Sequence, residues 1–282
     1  MTVYLNGDFM PLAEARVPVL DRGFIFGDGV YEYIPVYSRK PFRLREHLGR
    51  LQASLDSIRL ANPLDGTGWE QRVHTLIAAQ TFDDQALYIQ ITRGVAPRDA
   101  AFPMDTPPTV FMMAHVLPTP SAELKAAGVS AISAADNRWL RCDIKAVSLL
   151  PNVLLRQLSV DADCAETILL RDGWLTEGTA SSIFVVRAGV LLAPPKSNLI
   201  LPGITYDIVL ELAAQHGIPY QIRPIREAEV RGADELWMAS SPKEVLAIVA
   251  LDGKTIGDGR PGPMIRRMDA LYQQYKAEVM RA

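Results

Sequence analysis

The pattern of apolar and polar positions predicts a mixture of helices and strands in the first part of the chain. Over residues 44–60, leucine and isoleucine recur at steps of four and three, which predicts an amphipathic helix with one apolar stripe. ALYIQITRG alternates residue by residue, as a strand between two environments does. VYLNGDFMPL predicts a hairpin that turns at Asn6-Gly7, and GFIFGDGVYEYIPVY predicts a bent pair of strands.

A break in this pattern at AHVLPTPSAEL divides the chain. Pro118 and Pro120 interrupt any packed element there, so we predict a linker at 119–122. The linker separates a small domain of helices and strands, 1–118, from a larger β-rich domain, 123–282. We expect the chemistry to lie between the two domains.

The second domain is predicted to consist mainly of short strands. Asp172-Gly173 marks a hairpin turn, a helix is predicted over 204–216, and a closing amphipathic helix is predicted over 263–281. No internal repeat interrupts this order. The organisation is therefore typical of an α+β fold.

Composition narrows the classes of function. A chain of 282 residues with 49% hydrophobic residues can bury two cores, and a net charge of -3 gives no general attraction to nucleic acid or anionic lipid. Two cysteines and four histidines show no metal-binding spacing, so no metal centre is expected. Met1–Met10 lacks a signal-peptide pattern and no apolar run reaches roughly 20 residues, so we expect a cytoplasmic protein.

Lys145 is a candidate nucleophile because it lies among apolar residues in NRWLRCDIKAVSLLPNVLL. Apolar surroundings disfavour the ammonium form and favour the free amine, which attacks carbonyl groups. A lysine can also extend from an apolar patch to water, so the residue alone does not decide between the two interpretations.

Glu177 is a candidate acid because Gly178 follows it and lets the chain turn the carboxylate inward. A solvated turn residue is the alternative interpretation. Arg98, in the loop TRGVAPRDAAFP, could bind a carboxylate with two hydrogen bonds or simply lie on the surface. Tyr31 could direct its hydroxyl into a cleft or pack in the core, and Arg50 by pattern is solvated.

Two predicted helix starts are candidate phosphate sites. LPGIT leads into a helix, so the backbone N–H groups near Ile204 and Thr205 could bind an anion, unless Thr205 only caps the helix. In MASSPKEV, Ser241 is predicted to be an N-cap, with Glu244 completing a capping box, which needs no ligand to explain it.

Taken in order along the chain, these motifs resemble one family. DRGFIFGDGVYE, REHLGRLQAS, TRG-x-x-PR, RWLRCDIK, TEG-x-x-S and LPGIT-x-D are similar to the class IV aminotransferases, the fold-type IV enzymes that use pyridoxal 5′-phosphate. RWLRCDIK and TRG-x-x-PR resemble the D-amino-acid branch in particular. The resemblance covers nearly the whole chain. It implies a small α/β N-terminal domain and a larger β-barrel-like C-terminal domain with flanking helices.

The resemblance also implies roles for single residues. Lys145 would carry the cofactor as a Schiff base, and Glu177 would keep the pyridine nitrogen protonated. Tyr31 would bind the substrate carboxylate, and Arg98 would reach the same carboxylate from a partner subunit, which implies a homodimer. The implied phosphate ligands are Arg50, Ile204, Thr205, Ser240 and Ser241.

Two departures from the D-amino-acid branch affect the substrate. Ala100 stands where that branch commonly has a histidine, and Pro35 stands where a polar or basic residue is usual. We expect transamination between a D-amino acid, such as D-alanine or D-glutamate, and pyruvate or 2-oxoglutarate. An R-selective amine transaminase, a branched-chain L-amino-acid aminotransferase and an aminodeoxychorismate lyase remain alternatives of the same fold. A non-enzymatic binding protein would require Lys145 to be exposed and unmodified.

Overall fold

The computed structural model describes all residues 1–282, which form two compact units. The first unit comprises Met1–Leu117, Ile144–Leu149 and Arg281. The second unit comprises Pro118–Asp143, Leu150–Met280 and Ala282. None of the helices combines the length and the apolar character of a transmembrane span.

The first unit is built on a six-stranded antiparallel sheet. Its elements are β1 (Thr2–Leu5), β2 (Asp8–Pro11), α1 (Arg22–Phe26), β3 (Gly29–Tyr37), β4 (Lys40–Pro41), α2 (Leu44–Ser57), α3 (Gly66–Ala78), β5 (Gln85–Thr92) and β6 (Thr109–Val116). The strand order is β2-β1-β6-β5-β3-β4. Leu51 and Leu55 of α2 and Leu76 of α3 are fully buried against Ile34 and Ile89, so both helices cover one face of the sheet.

The second unit is built on a nine-stranded mixed sheet that curls into a half-barrel. Its elements are α4 (Ala122–Ala127), β7 (Val129–Ala135), α5 (Leu150–Asp161), β8 (Glu166–Arg171), β9 (Trp174–Gly178), β10 (Ser182–Arg187), β11 (Val190–Ala193), α6 (Ile204–Gln215), β12 (Tyr220–Ile222), α7 (Glu227–Arg231), β13 (Glu235–Ser240), β14 (Glu244–Leu251), β15 (Lys254–Thr255), α8 (Pro263–Tyr275) and a π-helix (Lys276–Met280). Its strand order is β12-β11-β10-β13-β14-β7-β8-β9, and β15 pairs with β14.

Most of the predicted elements are confirmed. The α+β class is confirmed, as are the helix α2 and both two-residue hairpin turns. Asn6 and Gly7 both have positive φ, as the predicted turn requires. The helix predicted over 204–216 is α6, and the closing helix is α8, which continues as the π-helix.

Two segments differ from the prediction. The first half of GFIFGDGVYEYIPVY is the helix α1 rather than a strand, because the Asp21 carboxylate caps the N–H of Gly23 and Gly27 ends the helix at φ 67°. Ile144–Leu149 lies in the first unit, although the boundary at the linker assigns it to the second domain. β4 is too short to pair with the Gly29–Tyr31 end of β3, and this segment pairs there instead.

Candidate active site

Lys145 is held by backbone hydrogen bonds in the first unit. Its carbonyl accepts the N–H of Tyr31 at 2.9 Å, and its own N–H donates to the Ser54 hydroxyl of α2 at 3.2 Å. The side chain is half-buried, and its Nζ lies 4.1 Å from the centroid of the Tyr31 ring. No carboxylate of the chain forms an ion pair with this amine. The backbone that carries this side chain is therefore held in place, and no carboxylate of the chain binds the amine.

Tyr31 projects from the sheet face opposite α2. Its ring centroid lies 5.5 Å from that of Tyr88, whose hydroxyl donates to Gln90 Oε1 at 2.7 Å. The Tyr31 side chain is half-buried, and its hydroxyl makes no hydrogen bond within the chain. A buried core tyrosine would need such a partner, so the geometry favours a role for this hydroxyl in binding.

Arg50 is oriented by an acid that the sequence pattern did not identify. Its Nε and Nη2 donate to the two carboxylate oxygens of Glu32 at 2.7 and 2.8 Å. Burial opposes ionisation of Glu32, but Arg50 and His47 lower the pKa of Glu32 well below its usual range. His47, whose pKa is lowered mainly by its own burial, contacts Glu32 through Nδ1 at 2.8 Å. Arg50 is thus fixed on α2 rather than solvated.

Arg98 lies in the loop after β5 and is exposed. Its guanidinium carbon is 5.3 Å from the centroid of the Phe26 ring. No carboxylate of the chain pairs with it, although Asp99 is its neighbour in sequence. An unpaired guanidinium of this kind is suited to bind an external anion.

Glu177 lies in β9 of the second unit and is buried. One carboxylate oxygen accepts Nη1 of Arg138 at 2.6 Å, and the other accepts the N–H of Leu201 at 3.1 Å. Burial raises the pKa of Glu177 to about 7, while Arg138 and the Leu201 N–H oppose the rise. Glu177 is therefore a buried carboxyl group whose negative charge is opposed by burial and supported by Arg138. The interpretation as a solvated turn residue is wrong.

Arg138 belongs to the motif RWLRCDIK but was not predicted as a site residue. Its Nε and Nη2 bind both carboxylate oxygens of Asp136, at 2.9 and 3.0 Å. Thr176 donates its hydroxyl to Asp136 at 2.9 Å. Asp136 thus fixes the arginine that contacts Glu177. The buried ion pairs hold the Glu177 carboxyl in one position.

Glu166 organises the segment after Glu177. This buried carboxylate accepts hydrogen bonds from the Thr179 N–H and hydroxyl, the Ser181 hydroxyl and the Lys243 amine. The hydroxyls of Thr179 and Ser181, which belong to the motif TEG-x-x-S, are thus engaged within the chain by Glu166.

The first turn of α6 is a suitable anion site. The N-cap is Gly203, which offers no side-chain acceptor to the free N–H groups of the turn. Ile204 and Thr205 are the first two helical residues and both are buried. Thr205 is therefore not the cap, and the alternative that it only caps the helix is wrong.

Ser240 is the last residue of β13 and Ser241 is the first residue of the hairpin turn that leads to β14, so the helix predicted from Ser241 is absent. Ser240 pairs with Glu244 across the hairpin, and the Ser240 hydroxyl accepts the N–H of Lys243 at 3.3 Å. Glu244 does not close a capping box, because its buried carboxylate binds the amines of Lys125 and Lys276. The prediction of a second helix N-terminus was wrong.

The predicted site residues thus fall into two groups. Lys145, Tyr31, Arg50 and Arg98 belong to the first unit, where Lys145 contacts Tyr31 directly. The second unit contains the remaining predicted residues, which are Glu177, Ile204, Thr205, Ser240 and Ser241.

Comparisons with known proteins agree with each other. The family model Amino-transferase class IV matches residues 29–251. A D-alanine aminotransferase of Bacillus licheniformis is 38% identical, over 97% of this chain and 96% of the relative. The solved branched-chain amino acid aminotransferase of Escherichia coli has a TM-score of 0.90 and 26% identity, over 99% of this chain and 94% of that one. A second branched-chain amino acid aminotransferase, solved with pyridoxamine 5′-phosphate, has a TM-score of 0.90 and 25% identity, over 97% of this chain and 93% of that one.

Proposed function

We propose, because the chain belongs to the class IV aminotransferases, that it transfers amino groups between D-amino acids and 2-oxo acids with pyridoxal 5′-phosphate as its cofactor. The proposed net reaction converts D-alanine and 2-oxoglutarate into pyruvate and D-glutamate. One observation carries the substrate class: the chain is 38% identical to a D-alanine aminotransferase over almost its full length. Its identity to the branched-chain enzymes of the same fold is 25% and 26%.

The groups present in the chain fit this cofactor. An aldehyde requires an amine without an acid partner, which describes Lys145. A ring nitrogen that must stay protonated requires a fixed carboxylate, which Glu177 can supply because Arg138 and the Leu201 N–H stabilise its charged form. A phosphate requires free backbone N–H groups, which the uncapped first turn of α6 offers. We propose that the phosphate is held by Arg50, Ile204, Thr205, Ser240 and Ser241.

The proposed mechanism assigns each step to one side chain. When bound, the cofactor accepts the electron pair left on the substrate α-carbon. The amine of Lys145 first holds the cofactor and then, once the substrate amine has replaced it, removes the proton from the substrate α-carbon. Because Lys145 is fixed at both its backbone N–H and its carbonyl, its amine stays within reach of that carbon. Tyr31 and Arg98 bind the substrate carboxylate and so set which face of the α-carbon meets the amine.

We also propose that the active form is a homodimer in which Arg98 reaches the active site of the partner. Two observations support it. Arg98 is exposed and has no acid partner in its own chain. Val153, Leu154 and Leu158 of α5 are 46–60% exposed, which is unusual for neighbouring apolar residues of a monomer. The expected cytoplasmic location stays a prediction.

Mixing two variants that are each impaired at low D-alanine tests the exchange of Arg98. Lys145→Ala and Arg98→Ala chains, co-refolded in equal amounts, are expected to regain about one quarter of the wild-type activity at low D-alanine, since half of the dimers then contain one complete site. Each variant refolded alone is the control. If Arg98 acted in its own subunit, each active site of a mixed dimer would lack either the lysine or the arginine, and mixing would restore nothing.

Stereochemistry tests the substrate class. Pyruvate formed from D-alanine and 2-oxoglutarate is expected to appear at least about a hundredfold faster than from L-alanine, because the carboxylate ligands fix one face of the α-carbon toward Lys145. The assay measures pyruvate with the purified enzyme, and Lys145→Ala is the matched blank. Faster turnover of L-alanine or of branched-chain L-amino acids would refute the D-specific proposal and favour the branched-chain alternative.

One observation favours a second candidate, an R-selective amine transaminase. Ala100 is exposed and carries only a methyl group where the D-amino-acid branch commonly offers a histidine to the carboxylate. A donor without a carboxylate therefore loses fewer interactions here. Turnover of (R)-1-phenylethylamine at a rate above that of D-alanine would favour this candidate.

A further inference from the structure

The loop that carries Arg98 is anchored by a second, buried arginine. Arg22 of α1 is 3% exposed. Its Nη1 donates to the Asp99 carbonyl at 2.5 Å, and its Nη2 donates to the Ala100 carbonyl at 3.4 Å. These two carbonyls belong to the residues that directly follow Arg98. The buried guanidinium thus fixes the backbone beside the exposed one.

Arg22 is itself held in place by an acid. Its Nε donates to Asp28 at 2.8 Å, and the same carboxylate binds Arg93 through Nε at 2.8 Å and Nη2 at 3.1 Å. Burial opposes ionisation of Asp28, but Arg93 and Arg22 lower its pKa below the usual range. Asp28 is therefore a carboxylate that binds two buried guanidinium groups.

Both ends of the loop are consequently fixed. Arg93 lies at the start of the loop and Phe102 at its far end. The guanidinium of Arg93 lies 3.7 Å from the centroid of the Phe102 ring, so Arg93 connects the two ends. The Phe26 ring contacts two guanidinium groups, that of Arg22 at 4.8 Å and that of Arg98 at 5.3 Å. Arg98 is thus the exposed end of a rigid assembly.

We infer that Arg22 is a positioning residue for the substrate carboxylate, acting through Arg98. The inference rests on the proposed function, in which Arg98 binds that carboxylate. A free loop would lose conformational entropy each time Arg98 bound a substrate, and Arg22 removes this cost by ordering the loop beforehand. Because Arg22 binds the backbone of Ala100, its effect does not depend on the side chain at that position.

A double-mutant cycle in the holoenzyme tests this inference. Arg98→Ala is expected to raise the KM for D-alanine about 10- to 100-fold, and Arg22→Gln about tenfold, with kcat and the absorbance of the bound cofactor unchanged. The double variant is expected to match Arg98→Ala alone, since Arg22 has no effect without Arg98. Arg22→Lys keeps the ion pair with Asp28 but cannot reach both carbonyls, so it is expected to give a KM between those of the wild type and Arg22→Gln. This variant controls for misfolding of Arg22→Gln.

Arg39→Gln is the matched control. Arg39 also anchors a loop of the first unit, by donating to the carbonyls of Ile77, Ala78 and Gln80 at 3.0–3.1 Å, but it has no contact with Arg98. Its KM should equal that of the wild type. Effects of Arg22→Gln and Arg98→Ala that multiply, or an unchanged KM in both Arg22 variants, would overturn the inference alone. An unchanged KM in Arg98→Ala would overturn the proposed role of Arg98 and this inference with it.

Discussion

Replacing Lys145 by alanine is expected to lower the rate of transamination at least about a thousandfold and to leave the cofactor without a covalent bond to the protein. The reason lies in the two tasks of one amine. In the proposed mechanism this amine binds the aldehyde of the cofactor and also moves the proton of the substrate α-carbon. No other amine is placed beside Tyr31 in the first unit, so no side chain replaces it.

Lys145→Arg distinguishes the effect of the positive charge from the effect of the reactive amine. A guanidinium keeps the positive charge near the Tyr31 ring but neither attacks an aldehyde nor accepts a proton near neutral pH, so this variant is expected to be equally inactive. Lys40→Ala, which removes an exposed lysine of β4, is the control and should keep full activity. The measurements are pyruvate formation and the mass of the borohydride-reduced protein.

Addition of methylamine provides a more stringent test of the same variant. If the missing group is a base, a small amine that diffuses into the space left by Lys145→Ala should restore part of the rate, with a rate that rises with amine concentration. Full turnover in Lys145→Ala without added amine would contradict the proposed mechanism.

The sequence predicts best those elements whose cause is local. The α2 stripe follows from side-chain periodicity, and the Asn6-Gly7 turn follows from the positive φ that both residues tolerate. MASSPKEV shows the limit of such reasoning. Ser241, Pro242 and Glu244 satisfy a capping pattern, but they also fit a tight hairpin turn, and pairing of β13 with β14 decides between the two.

Long-range pairing explains what the sequence did not predict. Lys145 follows the linker by more than twenty residues but lies in the first unit, because its segment pairs with β3. No local pattern contains that information. The same holds for Glu32 and Arg138, which orient the predicted site residues Arg50 and Glu177. Periodicity indicates that such positions are buried, but not which side chains they meet.

Site residues were predicted from the order of motifs rather than from their local surroundings. Taken alone, Glu177 resembled a solvated turn residue, and the structure shows instead a buried carboxyl group bound by Arg138. A single glutamate before a glycine carries too little information to distinguish these cases. The order of several motifs along the chain provided the information that distinguished them.

Glu177→Gln is expected to lower kcat about 100- to 1000-fold while the cofactor stays bound to Lys145. Glutamine has nearly the same size, so it can keep one hydrogen bond to Arg138. It carries no negative charge, however, and therefore cannot stabilise a proton on the pyridine nitrogen of the cofactor. The ring then withdraws electrons less strongly from the substrate α-carbon, and proton removal by Lys145 slows.

Nitrogen-15 NMR of the enzyme loaded with ring-labelled cofactor checks this explanation apart from activity. The pyridine nitrogen is expected to show the shift of a protonated ring in the wild type and of a neutral ring in Glu177→Gln. Glu235→Gln is the matched control, since Glu235 is also a buried carboxylate of the second unit but binds the N–H groups of Met264 and Ile265 at the start of α8. A protonated ring in Glu177→Gln, or an equal loss of kcat in Glu235→Gln, would show that Glu177 supports the fold rather than the ring nitrogen.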